Sequence, residues 1–331
     1  MLSTDKAVVV HEIRKAFGSV VALRDISFEV ERGEVLGLLG PNGAGKTTMV
    51  DILSTLTRPD HGHASVAGHD VVADPAGVRR SIMLTGQQVA LDDMLTGREN
   101  LVMFGRLQGL RKSEARLRAD DLIEQFDLDH AADRHVSTYS GGMRRRIDIA
   151  CGLVVRPEVA FLDEPTTGLD PRSRQSIWDL VSDFKEAGIA TLLTTQYLEE
   201  ADILSDRIVV IDHGAIIAAG TADQLKERTG ATYCEIVPRD LRDLPAVAEA
   251  LGALLPDTTR AALTPTSDRV AIPAPDGPNT LVQAVWQLAA ANVELRDIAL
   301  RRPSLDEVFF ALTGENTNSS GGRHAMAEVS S

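Results

Sequence analysis

A short apolar run, residues 35–39, leads directly into Gly40-Pro41-Asn42-Gly43-Ala44-Gly45-Lys46-Thr47, after which Met49, Ile52, Leu53 and Leu56 fall at helical spacing. No other stretch restricts the fold as tightly. Glycine at these positions lets backbone N–H groups turn inward around an anion, and the helix that follows aims its positive end at the same point. Strand, loop and helix in that order make the first unit of an α/β layer.

The rest of the chain extends that layer. Residues 159–162 form a second buried apolar run, a helix is predicted over about 172–187, and residues 190–195 form a third run. Near-continuous apolar strands alternating with helices indicate a mostly parallel sheet covered on both faces. Ahead of it, residues 8–14 and 20–30 alternate apolar and polar, as half-buried antiparallel strands do. Residues 97–127 turn helical and charged, the pattern of an inserted helical subdomain with a solvated face. Residues 208–212 and 215–219 flank His213-Gly214, a hairpin that closes the α/β domain. Near Thr229-Gly230 the character changes, and residues 232–300 read as strand, helix, strand, strand, helix, strand, a ferredoxin-like α+β order. Ser304 and Glu307 then fit a capping box on a last helix whose Leu305, Val308, Phe309 and Leu312 share a face, with Gly314 as its stop.

Composition narrows the partners. The net charge is −14, and a broad grip on phosphodiester backbones depends on clustered Lys and Arg, so nucleic acid is not expected as a partner. The longest uncharged stretch, residues 277–293, carries Pro278, Asn279, Gln283, Gln287 and Asn292 and is too polar to span a bilayer. Residues 1–10 show no charged head followed by an apolar core, so no secretion signal is expected. Cys151 and Cys234 lack Cys or His neighbours at metal spacing and read as small core residues in a reducing compartment.

Glycine, four residues, then Gly-Lys-Thr on a strand-to-helix turn is the P-loop of nucleoside triphosphatases. Gly40, Pro41, Asn42, Gly43, Ala44, Gly45, Lys46, Thr47 and Thr48 are therefore candidate ATP contacts. Lys46 is expected to bridge the β- and γ-phosphates, and the Thr47 hydroxyl to hold Mg²⁺. Asp163, at the end of its apolar run, is the Mg²⁺ partner. Glu164 is placed to polarise a water toward the γ-phosphate, a general-base role worth roughly 10² to 10⁴ in rate.

Tyr139-Ser140-Gly141-Gly142-Met143-Arg144-Arg145-Arg146 leads into a helix carrying Ile147, Ala150, Cys151 and Val154 on one side. It resembles the signature of the ABC (ATP-binding cassette) ATPases, usually Leu-Ser-Gly-Gly-Gln, with Tyr139 and Met143 as departures. The resemblance implies that Ser140, Gly141 and Gly142 contact the γ-phosphate of an ATP held by a second copy, so that two cassettes clamp two nucleotides. It implies that Phe17 stacks on adenine and that Asp170, in Pro165-Thr166-Thr167-Gly168-Leu169-Asp170, lies at the dimer interface. Gln87 matches the glutamine that reaches metal and water and responds to a membrane partner, with Gln88 as the other register. Where most of the family has a switch histidine this chain has Gln196, which can donate an amide hydrogen bond to the γ-phosphate but cannot take up a proton. Arg144, Arg145 and Arg146 read as a solvated or subunit-facing helix flank.

Gln196, Leu84-Thr85-Gly86-Gln87 and Arg301-Arg302-Pro303-Ser304-Leu305-Asp306-Glu307-Val308-Phe309 together resemble the daunorubicin and doxorubicin resistance ATPase subunits of actinobacteria, whose relatives serve export of complex lipids and polyketides. The family match runs over residues 7–225. It implies an ABC ATPase domain at residues 1–230, with a mostly parallel core sheet, an antiparallel β subdomain and a helical subdomain at about 90–155. A small α+β accessory domain at 231–314 and a disordered tail at 315–331 complete this expectation. The implied protein hydrolyses ATP at the cytoplasmic face of the membrane, peripheral to it, bound to an integral membrane permease and a second copy of itself. The alternative is a soluble ABC ATPase of the DNA repair or translation type. Repair types insert a long coiled coil between P-loop and signature, which residues 47–139 leave no room for, and translation types usually carry two cassettes. A catalytically dead cassette is opposed by the presence of Lys46, Asp163 and Glu164.

Overall fold

Strands β1 (Lys6–Phe17) and β2 (Val20–Glu31) pair antiparallel, with Phe17 opposite Val20 across a two-residue turn. The structure, a computed structural model, describes residues 6–86, 91–229, 232–252, 268–302 and 304–313. Its contacts divide the chain into two compact units, residues 1–222 and 223–331. The first predicted apolar run is β3 (Val35–Leu39), buried throughout, and its loop opens into α1 (Lys46–Leu53). Then come β4 (His61–Val66), β5 (His69–Asp70), α2 (Pro75–Ser81) and β6 (Ile82–Thr85). Three helices follow, α3 (Gly97–Leu107), α4 (Lys112–Gln125) and α5 (Gly141–Gly152). The α/β pattern resumes with β7 (Val159–Asp163), α6 (Pro171–Glu186), β8 (Ala190–Thr195), α7 (Leu198–Leu204), β9 (Arg207–Asp212) and β10 (Ala215–Gly220).

Six strands form one sheet in the order β10-β9-β3-β8-β7-β6, parallel except for β10, which returns antiparallel through the predicted hairpin. His213 and Gly214 both take positive φ, +46° and +77°, the conformation a two-residue hairpin turn demands. A four-stranded antiparallel sheet, β2-β1-β4-β5, lies on one face of this layer. Leu36, Leu38, Phe161 and Leu192 point into the core shared with that sheet and with Met49 and Ile52 of α1. Val35, Ala160, Leu162 and Leu193 point the other way, into a core shared with the helices through Leu101, Leu122, Ile147 and Ile177. Burial on both faces explains why these strands read as continuous apolar runs instead of alternating ones.

Three details differ from the sequence reading. Leu56 is 65% exposed, because α1 ends three residues earlier. Thr55 turns left-handed at φ +69° and the Leu56 N–H bonds back to the Asp51 carbonyl at 2.8 Å, a Schellman stop made without glycine. Arg145 is buried rather than solvated. Strands β4 and β5 carry few apolar residues and β6, though apolar, is only four residues long, so none of the three reads as sheet.

The second unit begins with α8 (Ala222–Thr229), which spans the division. It continues through β11 (Tyr233–Pro238), α9 (Leu244–Gly252), β12 (Val270–Pro273), α10 (Pro278–Ala290), β13 (Leu295–Arg301) and α11 (Leu305–Thr313). Its sheet, β12-β11-β13, is antiparallel on both sides of β11, over a core of Ile236, Val247, Leu251, Ile272 and Leu288. That order suits three strands of the ferredoxin-like arrangement; residues 253–267, where the other strand is expected from sequence, lie outside the described residues. The Ser304 and Glu307 capping box is present, with reciprocal bonds of 3.2 and 3.3 Å. Gly314 and the tail at 315–331 lie outside the described residues. Cys151 and Cys234 are free and buried; burial raises both thiols, Cys234 to about 11, so neither is a reactive thiolate.

The central strands set the stability of the first unit. Phe161 is fully buried in β7, so Phe161→Ala should cost about 3–5 kcal/mol, read as a lowered midpoint in urea unfolding. A loss well below about 1 kcal/mol would contradict the packing described.

Candidate functional site

In an open parallel sheet, ligands collect at the carboxyl ends of the strands. Here β3, β8, β7 and β6 end side by side, and their exits carry Gly40, Gln196, Asp163 with Glu164, and Gly86. Residues more than a hundred positions apart thus meet on one edge.

The loop after β3 is shaped by close approach. Gly45 caps α1 at φ +107°, and a Cβ there would meet the Ala22 carbonyl oxygen at 2.6 Å and Leu23 at 2.8 Å. Strand β2 therefore backs the loop, and the hairpin that β2 shares with β1 carries Phe17, 53% exposed. Lys15 stands over the Phe17 ring at 5.2 Å and is tied to Asp60 at 2.8 Å. Asn42 and Thr47 are exposed, Pro41 and Thr48 half-buried, and Ala44 buried.

Lys46 is 4% exposed. Its ammonium donates to the Gly40 carbonyl at 2.8 Å and the Pro41 carbonyl at 3.1 Å, and lies 3.5 Å from a Glu164 carboxylate oxygen. Burial lowers its pKa, partly offset by the charges of Glu164 and Asp163. The next side chain, Thr47, donates to Asp163 Oδ2 at 3.1 Å. Asp163, itself 3% exposed, accepts at its other oxygen from the Thr194 hydroxyl at 2.5 Å. Two carboxylate oxygens and a hydroxyl thus form a hard-oxygen donor set of the kind that suits Mg²⁺. One turn along α1 from Thr47, Asp51 is pushed up by burial and by the charge of Asp163.

Glu164 is held in the left-handed region at φ +47°, a strain of about 1–3 kcal/mol for a non-glycine residue. Its N–H donates to both the carbonyl and the hydroxyl of Thr194, at 3.1 and 3.0 Å. Its carboxylate accepts from Thr167 at 3.3 Å while facing Lys46. Thr194, the residue in register with Asp163 on β8, therefore orients two successive carboxylates at once. Sequence reasoning did not single it out, since a threonine inside a buried strand reads as ordinary β composition.

Gln196 leaves β8 half-buried, two residues beyond Thr194. The segment after it is pinned from below. Glu200, buried on α7, accepts from Thr166 at 2.9 Å and from the Trp178 indole at 3.3 Å. Burial raises its carboxyl, against the hydrogen bonds that lower it. The Arg174 guanidinium lies 5.3 Å over the Tyr197 ring. Gln87, and Gln88 with it, lie outside the described residues; the described chain stops at Gly86.

Ser140 caps α5, its hydroxyl accepting from the Met143 N–H at 3.3 Å, and with Gly141 it stands exposed. Gly142 is buried, and a Cβ there would meet the Ser173 hydroxyl at 2.3 Å. Ser173 in turn donates from both its N–H and its hydroxyl to Asp170, at 3.0 and 2.7 Å, which lowers the Asp170 carboxyl. The predicted Ser140 turn and the predicted Asp170 are thus joined through one serine. Gly141, Glu164 and Gly168 line a common cavity of about 440 Å³.

A family model described as "ABC transporter" matches residues 23–167, which include the glycine loop, the Ser140 turn and Glu164. The chain is 70% identical to the doxorubicin resistance ATP-binding protein DrrA of Mycobacterium tuberculosis, over 96% of this chain and 97% of that one. It is 51% identical to the daunorubicin resistance ATP-binding protein DrrA3 of Streptomyces coeruleorubidus, over 94% and 97% of the two chains. Among solved structures, an ATP-binding subunit of an ABC transporter superposes with a TM-score of 0.62 at 28% identity, covering 67% of this chain and 92% of that one. With a glycine loop, a buried lysine and two oriented carboxylates on one sheet edge, the chain belongs to the ATP-hydrolysing, ATP-binding subunits of ABC transporters, beside the doxorubicin and daunorubicin resistance ATP-binding proteins.

Proposed function

We propose that this chain energises the efflux of hydrophobic drugs of the daunorubicin and doxorubicin kind, or of complex lipids, through a separate membrane permease. The ATPase half of that reading is carried by one observation, the meeting of Lys46, Thr47, Asp163 and Glu164 at a single edge. The cargo half rests on the names of the relatives, which report resistance to those drugs.

The residues fit a triphosphate. A lysine whose pKa is depressed by burial gains most from an anion, and Lys46 can exchange its contacts with Gly40, Pro41 and Glu164 for β- and γ-phosphate oxygens. Backbone N–H groups of the glycine loop would complete the cradle. Thr47 and Asp163, with Gln87, are the residues that would hold Mg²⁺, whose charge would screen the phosphate oxygens. Once Lys46 turns to phosphate, the Glu164 carboxylate is released to take a proton from water as that water attacks the γ-phosphorus and ADP departs. Gln196 donates its amide to the γ-phosphate. Phe17 offers its exposed ring to adenine.

Ser140, Gly141 and Gly142 serve the nucleotide of a second copy in this reading, with Asp170 at the same interface; Ser140 and Gly141 stand exposed at a helix N-terminus, where an anion is favoured. Among the described residues no helix is long and apolar enough to cross a membrane. The membrane path is therefore assigned to the permease, this chain sitting peripherally at the cytoplasmic face, with residues 231–314 as an accessory domain. A soluble repair or translation role finds no support among relatives of this identity.

Glu164→Gln keeps the shape and removes the base, so turnover should fall by roughly 10² or more while ATP affinity changes little, measured by phosphate release and by nucleotide titration. Phosphate release at the unsubstituted rate would remove Glu164 from the role. Thr194→Val keeps volume but removes the hydroxyl that donates to Asp163 and accepts the Glu164 N–H. Turnover should drop roughly 10- to 100-fold, with magnesium-free ATP binding retained; an unchanged rate would show that Thr194 orients nothing of consequence.

A further inference from the structure

Of three consecutive arginines at the start of α5, two have surface partners: Arg144 pairs with Asp93, and Arg146 donates to the Phe126 carbonyl at 2.9 Å. Arg145 is turned inward and is 8% exposed. Its Nη1 donates to the Gly86 carbonyl at 2.9 Å, its Nε to the Pro165 carbonyl at 3.0 Å, and its Nη2 reaches the Asp163 carbonyl at 3.4 Å. Asp148, one turn along the helix, stands 3.5 Å away and supplies the counter-charge. Burying a guanidinium is unfavourable unless its N–H groups are satisfied, and here three backbone carbonyls from two separate loops satisfy them.

The choice of carbonyls is informative. Asp163 and Pro165 flank Glu164, whose own backbone is held left-handed at φ +47°. Strained backbone of that kind persists only where its surroundings over-determine it. Thr194 fixes the Glu164 N–H from one side, and Arg145 holds the carbonyls before and after Glu164 from the other. Gly86 is the residue that leads from β6 into Gln87. The same α5 begins at the exposed Ser140 turn, five residues before Arg145.

We propose that Arg145 is a positioning residue for hydrolysis, a planar strap that ties the chain entering the Gln87 loop to both sides of Glu164 and mounts that strap on the helix of the Ser140 turn. Arg145 does not touch nucleotide; it acts through the orientation of Glu164. A shift of α5, or of the chain at Gly86, is thereby passed to the Glu164 backbone through a group that cannot lengthen. Lysine can point a single ammonium at these carbonyls but cannot reproduce the fork, so charge alone does not substitute.

This inference rests on the reading of Glu164 as the base, and the test separates the two. ATP turnover and ATP affinity are measured on the full-length chain carrying Arg145→Met, Arg145→Gln or Arg145→Lys, each alone and combined with Glu164→Gln. Folding is checked by circular dichroism, and the slow residual hydrolysis of the Glu164→Gln chains is followed over hours with labelled ATP. Arg145→Met should lower kcat about tenfold or more with ATP affinity within about threefold, and Arg145→Gln, which keeps two N–H donors, should recover part of the loss. In the Glu164→Gln background the same substitution should cause no further fall, because the group it positions is already gone. A folded Arg145→Met chain with unchanged kcat overturns the inference, as does an equal fold-loss in both backgrounds. Should Arg145→Met fail to fold, Arg145→Gln and Arg145→Lys are read by the same criteria. Full turnover by Glu164→Gln alone would sink the base reading instead, and the strap with it.

Discussion

Lys46 brings a positive charge to the end of β3 at a position only 4% exposed, and the rest of this sheet edge is arranged around it. A buried ammonium is unfavourable unless it is paired, and its present partners are two loop carbonyls and Glu164. In the proposed function these contacts exchange for phosphate, which brings more negative charge than the contacts it replaces. The strand order places β7 two positions from β3, so that Asp163 reaches Thr47 across β8 while Glu164 reaches Lys46. The intervening strand is not a spacer. Its Thr194 donates to one carboxylate and receives the N–H of the next residue.

The strain at Glu164 follows from the same geometry. A strand that delivered Asp163 and continued extended would point the next side chain to the opposite face. The left-handed turn at Glu164 swings its carboxylate back toward Lys46. Such a turn is stable only with support on both sides, and Thr194 and Arg145 supply it from different elements. Glu200 gives comparable support one layer down, joining Thr166 of the loop after Glu164 to the helix that follows Gln196. This sheet edge is thus held by buried polar contacts, each linking a loop to a rigid element.

Much of this was legible in sequence, and the reason is local. The loop at residues 40–47, the Asp163-Glu164 ending and the His213-Gly214 hairpin each carry their chemistry within a few residues. What escaped was non-local. Arg145 sits among two other arginines and reads as surface, because the carbonyls that bury it come from 59 and 20 residues away. Thr194 looks like ordinary strand composition until β7 is laid beside β8. Strands β4 and β5 are short, and His61, His63 and His69 dilute their apolar signal, while β6 is apolar but only four residues long. Leu56 fits the helical period but falls past a stop built on Thr55, a residue with no particular preference for the left-handed region.

A nucleotide shared between the Lys46 loop of one copy and the Ser140 turn of another is tested most directly by mass. The Glu164→Gln chain, alone and with its membrane permease, is brought to saturating magnesium and ATP, and the number of copies held together is read by light scattering or native mass spectrometry. Twice the 35.6 kDa of one chain, formed only with nucleotide and lost when Ser140 is replaced by a bulky residue, is the predicted result. A single copy at saturating ATP in both settings would contradict it.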